Sequence, residues 1–227
     1  MSVIEAPDFE KETQNILAKV NSFLSEGKKV FFTSSFQTQS LPLLHILSQA
    51  DKKIPVAFID TGYLFPETYI FRDQLSERLG LDVRVVQSSV PMSQQVSSDD
   101  RFLFSSDPEM CCQINKVDVM GNFASQFDVW ISGVRADQSA TRKQLSEIQV
   151  NKNGTVRYHP MLNWNAKMIY LYRKQFKLPE HPLESQGYLS IGCMPCTAKY
   201  IDTVGQERGG RWSGMKKEEC GLHTNLA

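Results

Sequence analysis

The chain lacks charge of either sign in excess: 25 lysines and arginines stand against 25 aspartates and glutamates, a formal sum of zero. A chain-wide electrostatic grip on nucleic acid or an anionic membrane is therefore excluded, and any basic site must be local. Long apolar runs are missing too, since none approaches the roughly 20 residues needed to span a bilayer. The opening stretch, Met1 to Glu10, has neither the basic end nor the apolar core of a secretory leader. These absences lead to the expectation of a cytoplasmic protein with no membrane and no nucleic-acid partner. Its 5 cysteines would there stay reduced. No internal repeat is visible. What is present is a globular balance, 41% hydrophobic and 22% charged over 227 residues. That balance argues against a disordered, collagenous or coiled-coil chain. At roughly 150 residues per domain the length suggests one domain, with room for a short appendage.

Phe9, Ile16, Leu17, Val20 and Leu24 recur at helical intervals, predicting an amphipathic helix from about Pro7. Val30 to Thr33 is a short apolar strand that runs into the polar stretch Ser34 to Ser40, after which a helix continues to about Ala50. Ile54 to Asp60 is a second strand closed by Thr61 and Gly62, and Pro66 opens a helix ending near Gly80. Asp82 to Gln87 and Val129 to Gly133 supply a third and a fourth strand. Strands alternating with helices predict an α/β fold with a doubly wound, mostly parallel sheet. In such sheets ligands sit beyond the carboxyl ends of the strands. Asn153-Gly154, between alternating segments, predicts a hairpin over Glu147 to His159, followed by a helix near Asn165 to Phe176. Gly205, Gly209, Gly210, Gly214 and Gly221 crowd the last 23 residues. A segment so rich in glycine and charge reads as a mobile tail, 205–227, behind a body of 1–204.

The cysteines fall in two close pairs, Cys111-Cys112 and Cys193-Met194-Pro195-Cys196, with Cys220 apart. Four thiolates in two pairs suggest one metal centre, zinc or an iron–sulfur cluster. Ordinary buried cysteines, or a redox pair at 193 and 196, are the competing readings. Asp107 before Pro108 is a strong helix start, which places Cys111 and Cys112 in the first turns, where the dipole favours thiolate. Lys116 follows Cys112 by four residues, so on a helix it reaches the same side. The bland alternative is a solvated lysine. Cys220 sits near His223 in a charged stretch, with Arg208 and Arg211 upstream, and reads either as a reactive thiol or as an accidental tail cysteine. Ser34, Ser35, Phe36 and Ser40 follow a strand and open a helix, a place suited to phosphate. The stretch from Ser34 to Ser40 contains no glycine and no lysine, so it is neither a Walker loop nor a dinucleotide fingerprint. Arg135, Asp137, Gln138 and Arg142 cluster after the fourth strand at the expected ligand edge, with solvated loop charges as the alternative. Trp212 is either a surface aromatic or part of a lid.

Taken together, Leu178-Pro179-Glu180-His181-Pro182-Leu183, the run Gly187 to Thr197, Glu207 to Trp212, and Glu219-Cys220-Gly221-Leu222-His223 resemble the phosphoadenylyl-sulfate and adenylyl-sulfate reductase family of sulfate assimilation. The resemblance runs from about Val30 to His223. It implies an adenine-nucleotide alpha hydrolase-like (PP-loop) fold, with a modified nucleotide loop at Ser34 to Ser40. It further implies Asp60, Thr61 and Gly62 near the adenosine, Arg135 near the phosphosulfate, and Cys220 as nucleophile. The four remaining cysteines resemble the [4Fe–4S] branch, which acts on adenylyl sulfate. The chain departs from the family at Gln37 and Thr38, where glycine and alanine are common, and at Asn115 and Val119, where arginine and proline are common.

The resemblance implies that the Cys220 thiolate attacks the sulfur of adenylyl sulfate, expels AMP and becomes S-sulfonated. A dithiol then releases sulfite. Arg135, Arg142, Lys116, Arg208 and Arg211 are the candidates for neutralising the sulfuryl charge. With no second cysteine beside Cys220, a separate donor, thioredoxin or glutaredoxin, is expected, and a homo-oligomer is an open possibility. The cluster is assigned a structural and electrostatic role. Alternatives are a reductase for the 3′-phosphorylated nucleotide, an ATP pyrophosphatase of the same fold, and a non-catalytic iron–sulfur sensor. The pyrophosphatase would want glycines and an aspartate where Gln37 to Gln39 stand. A sensor would leave Cys220 and its arginines idle.

Overall fold

The computed structural model describes residues 7–151, 154–199, 210–212 and 222. Six strands form one sheet in the order β3-β2-β1-β4-β6-β5: β1 (Val30–Thr33), β2 (Pro55–Asp60), β3 (Asp82–Gln87), β4 (Val129–Ser132), β5 (Ile148–Val150) and β6 (Val156–Tyr158). All neighbouring pairs are parallel except β5 with β6. The expected hairpin is therefore present, but it does not stand apart. Its second strand joins the main sheet, with Trp130 opposite Arg157 and Ile131 opposite Tyr158.

Alternation along the strands sorts the core onto two faces. Val30 and Phe32, Val56 and Phe58, and Val129 and Ile131 point to one side, where they meet α1 (Phe9–Ser25), α2 (Leu41–Leu47), α3 (Pro66–Leu79) and α7 (Ala166–Gln175). Phe31, Ala57 and Trp130 point to the other, beneath Met120 and Ala124 of α6 (Asp118–Ala124). Helix ends follow local rules. Asp8 caps α1 by accepting from the Lys11 N–H at 3.1 Å, and Asn165 caps α7 through the Met168 N–H at 3.0 Å. Gly80 closes α3 in the left-handed conformation, φ +62°.

The helix expected to start after Asp107 does so, with the Asp107 carboxylate accepting from the Met110 N–H at 2.9 Å. It does not run on unbroken. Behind the short helix α4 (Leu103–Ser106), α5 (Pro108–Cys112) passes into a π-helical turn over Gln113–Val117 before α6 resumes. The Asn115 side chain gives the reason: its amide donates to the carbonyl of Cys111, four residues back, at 3.0 Å. Such back-bonding competes with the regular ladder and widens the turn.

β1 lies between β2 and β4, so the chain leaves it to one side and returns on the other. That switch point opens a crevice beyond the carboxyl ends of the strands. The segment Leu178 to Leu183 braces it. His181, 1% exposed, donates its backbone N–H to Thr38 Oγ1 at 3.0 Å. Its Nδ1 accepts the Leu183 N–H at 3.2 Å, so Nε2 carries the proton toward Thr68 Oγ1 at 3.1 Å. Arg173, at the end of α7, reaches Glu180 at 2.8 Å. One short stretch thus fastens the β1 loop, α3 and α7 together. Among the described residues, no helix is long and apolar enough to cross a membrane.

Candidate active site

The crevice is a cavity of about 250 Å³. One wall is the loop after β1. Ser34 Oγ donates to Ser40 Oγ at 3.1 Å, Ser40 Oγ donates to the Gln37 carbonyl at 2.8 Å, and the Phe36 N–H donates to Ser34 Oγ at 3.1 Å. This tight closure holds Phe36 at φ +54°, a left-handed conformation uncommon outside glycine. Ser34, Ser35 and Ser40 line the cavity as expected of a nucleotide loop. Phe36 does not. Its ring is fully buried and packs edge-on to Phe58 at 5.6 Å, so the side chain serves the core.

The residues behind β4 build a polar floor. Arg135, 1% exposed, donates to Gln39 Oε1 at 3.0 Å and pairs with Asp137 at 3.0 Å. Gln138 Nε2 donates to the same Gln39 oxygen at 2.8 Å, and Arg142 donates to Gln138 Oε1. Arg142 faces the cavity, whereas Arg135 stands one residue behind it, on Gln39. Asp60 and Gly62 are also set back from the wall. The Asp60 carboxylate accepts from the Gly62 N–H at 2.9 Å and from the Tyr69 hydroxyl at 2.6 Å, which shapes the turn that presents Thr61. Gly62 is required there, because its φ is +73° and a Cβ would meet Met92 Sδ at 2.7 Å.

The opposite wall comes from distant sequence. Cys193, Gly192, Ile191 and Ser190 face the loop across the cavity, and the Ile191 N–H donates to Gln37 Oε1 at 2.9 Å. Gln37 therefore bridges loop and far wall. Thr61 Oγ1 lies 3.2 Å from Cys193 Sγ. Arg211 donates to Thr197 Oγ1 at 3.2 Å, and its guanidinium rests against Gly192, where a Cβ would collide with it. Trp212 is buried, packs on Cys193 and Cys196, and donates its backbone N–H to the Cys196 carbonyl at 3.1 Å. Both Arg211 and Trp212 line the cavity, as does Lys116.

Cys111, Cys112, Cys193 and Cys196 are all buried and free of disulfides. Burial and the neighbouring Cys112 push Cys111 up to about 11, with Cys193 adding to the rise. Cys196 is raised by burial, by Cys193 and by Cys112. Burial acts in the same sense on Cys193, yet this thiol sits below its ordinary value. The Lys116 charge, a hydrogen bond with Thr61, the Arg211 charge and a hydrogen bond with Lys116 outweigh the burial. The two pairs thus sense each other's charge, and Lys116 lines the cavity beside Cys193, to which it is hydrogen-bonded. Among the described residues, no three His, Cys, Asp or Glu side chains gather closely enough to hold a single metal ion. The donor chemistry, four reduced sulfurs with cations beside them, fits thiolate ligation.

Arg208, Cys220 and His223 lie outside the described residues, as does most of the expected tail. Leu222 is described, and it lines the cavity. Sequence reasoning gave no individual role to Gln39, Ser132 and Ser190, and named Gln138 only as part of the polar cluster after the fourth strand. Ser132 carried a usable signal as the last residue of a buried strand at the ligand edge. Gln39 carried none, because the partners it joins, Arg135 and Gln138, lie 96 and 99 positions away.

Residues 29–199 match the phosphoadenosine phosphosulfate reductase domain. The chain is similar to an adenosine 5′-phosphosulfate reductase of Chelativorans sp. (strain BNC1), 38% identical across 90% of this chain and 82% of that protein. It is also similar to a phosphoadenosine 5′-phosphosulfate reductase of Gloeobacter violaceus, 35% identical across 87% and 83%. In fold it resembles the phosphate complex of the phosphoadenylyl-sulfate reductase of Candida auris, with a TM-score of 0.65, 18% identity, and coverage of 85% of this chain and 98% of that one.

Proposed function

From the membership of this chain in the phosphoadenosine phosphosulfate reductase family, an oxidoreductase family, we propose that it reduces adenylyl sulfate to sulfite and AMP with electrons from thioredoxin or glutaredoxin. The observation that carries this reading is Leu222. It stands only two residues after Cys220 and lies on the same cavity as the nucleotide loop, Lys116, Arg142 and Arg211. Cys220 is in this reading the nucleophile. Its thiolate forms a bond to the sulfuryl sulfur, the bond from that sulfur to the phosphate oxygen breaks, and AMP leaves with the electron pair. A donor thiolate then attacks Cys220 Sγ and expels sulfite. The donor's second thiol resolves the mixed disulfide, so the dithiol supplies both electrons and Cys220 is restored.

The chain's own residues set up the first step. The loop from Ser34 to Ser40 receives the nucleotide phosphate, with Thr61 toward the adenosine end. Lys116, Arg142 and Arg211 offset the sulfuryl charge in a partly enclosed space, where such interactions gain strength. Arg208 and His223 are assigned to the Cys220 thiolate. Arg135 acts through Gln39 and Gln138, which hold Arg142 in place. Cys111, Cys112, Cys193 and Cys196 would hold a [4Fe–4S] cluster, whose chemistry when bound is that of a charged structural anchor joining two distant segments. Each pair feels the other's charge, Cys111 that of Cys193 and Cys196 that of Cys112, and that proximity supports a centre shared by both pairs.

A relative named for the 3′-phosphorylated nucleotide supports a second reading, in which that nucleotide is reduced as well. Sulfite release from each nucleotide, measured with thioredoxin on anaerobically purified protein, tests both. Adenylyl sulfate should be the faster substrate. Turnover of neither nucleotide would overturn the proposal.

A further inference from the structure

Gln95 and Asn115 are 1% and 2% exposed and pair their side-chain amides between the turn Met92–Gln94 and the helical segment that carries Cys111. One partner fixes the orientation of both. The Val90 carbonyl can only accept, so the Gln95 atom 3.0 Å from it is the amide nitrogen. Gln95 Nε2 gives its second proton to Asn115 Oδ1 at 3.0 Å, and Gln95 Oε1 accepts from Asn115 Nδ2 at 2.6 Å. The Asn115 nitrogen is thereby turned toward Cys111. Its other proton meets two acceptors there, the backbone carbonyl at 3.0 Å and Sγ at 3.6 Å, in a three-centre bond. Burying two amides is costly unless every proton finds a partner, and here all four do. An apolar pair would fill the same space without that cost. What the amides add is an N–H delivered to a sulfur. Across the site, Thr61 Oγ1 lies 3.2 Å from Cys193 Sγ, so Cys111 and Cys193, one from each pair, both have a neutral polar side chain at the sulfur.

We propose that Asn115 is a hydrogen-bond donor to the Cys111 sulfur in its metal-ligating state, and that Gln95 is a positioning residue that holds the Asn115 amide in the donating orientation. The inference rests on the reading that the four cysteines hold one metal centre. A thiolate keeps negative charge after it binds metal, and an N–H aimed at it stabilises that charge without offering a proton that competes with the metal. An amide does so at every pH, because it does not titrate. Nor can Asn115 turn over to present its oxygen. That would set Oδ1 against both acceptors of Cys111 and break both bonds to Gln95. Neither residue lines the cavity, so the pair acts on the centre and not on the nucleotide.

Asn115→Leu keeps the approximate volume and removes the donor, whereas Gln95→Met leaves Asn115 in place without its guide. Two readouts apply to anaerobically purified, metal-loaded protein. One is the rate of iron release to a ferrous chelator. The other is the set of iron–sulfur stretching bands in the resonance Raman spectrum after cluster reconstitution in H2O or D2O. A band that shifts on deuteration reports an exchangeable N–H on a ligating sulfur, which packing alone does not produce. The wild type should show such a shift. In Asn115→Leu the shift should shrink and iron release should be about ten- to hundredfold faster, the range for losing the partner of a metal ligand. Gln95→Met should move both readouts the same way, with release several-fold faster. Wild-type release with an undiminished shift in either folded variant would overturn the proposal, and Gln95→Met, which leaves the helical segment untouched, decides alone if Asn115→Leu does not fold. The metal content of the wild type tests the underlying reading separately. Zinc without sulfide would overturn the cluster and leave the pair to be read by zinc release, faster in both variants if the proposal holds and unchanged if it fails. Cysteines that bind no metal at all would overturn both.

Discussion

The two walls of the cavity are built by opposite means. The loop wall, Ser34 to Ser40, sets its backbone by bonds between residues six positions apart or fewer, while Gln37, Thr38 and Gln39 reach outward from it, and it sits on the buried strand β1. The far wall, Ser190 to Cys193 with Arg211 and Trp212, depends on partners drawn from the whole chain. Thr61 meets Cys193 across 132 positions and Gln37 meets Ile191 across 154. A wall of the first kind forms wherever its strand forms. A wall of the second kind exists only when several elements have docked, and it is the one that carries the cysteine pair and the cations.

The comparison is broken most severely at Gly192. A Cβ there would collide with the Arg211 guanidinium and push that flexible side chain off its seat, so Gly192→Ala should lower kcat/KM by up to about a hundredfold through displaced charge. Steady-state kinetics together with AMP affinity would show it, and unchanged kinetics would mean that Arg211 has room elsewhere. Lys116→Ala comes next. Removing one charge-assisted hydrogen bond contributes about 1.5 to 3 kcal/mol, a loss of roughly ten- to hundredfold in kcat/KM. Iron content separates the causes: normal iron with lowered kcat/KM assigns Lys116 to substrate charge, and full iron with wild-type kinetics returns it to a solvated helix lysine.

Effects on the brace and on the local wall should be smaller. Burial holds His159 and His181 at about 4, so both are neutral in the folded state. In the unfolded chain they titrate near 6.5. As pH falls from 6.5 toward 4 the unfolded chain binds protons that the native state refuses, and stability is lost across that window. The slope is at most about 1.4 kcal/mol per pH unit for each histidine. Urea unfolding at pH 7, 6 and 5 measures it, and His181→Gln should flatten the pH dependence. Smallest is Ser34→Ala. A neutral hydrogen bond in an otherwise self-closed loop contributes about 1 kcal/mol, so nucleotide affinity should weaken by roughly fivefold, read by AMP titration.

Local signals located most of the elements. Val30 to Thr33, Asp82 to Gln87, the Asp107 cap and the Asn153-Gly154 hairpin were legible because turn chemistry and period-two or helical spacing act over a few residues. The entry of β6 into the main sheet was not legible, since pairing partners leave no mark on a three-residue strand. Nor was the π-helical turn, which depends on how the Asn115 amide turns back on Cys111. The direction of the Phe36 ring was not legible for a related reason: only the folded loop, with its left-handed backbone at that position, shows the ring packed into the core against Phe58.

By itself the sequence determined the alternation of strands and helices, the ligand edge at their carboxyl ends, and the inventory of thiols and cations. Those follow from local propensity and from the chemistry each side chain owns. Only the tertiary structure decided which of them share a space. It set Arg135 behind Gln39, seated Arg211 on Gly192 and placed Lys116 against Cys193. Each of these depends on the positions of elements far apart in the chain, and such positions arise from packing the whole core, which no window of sequence contains.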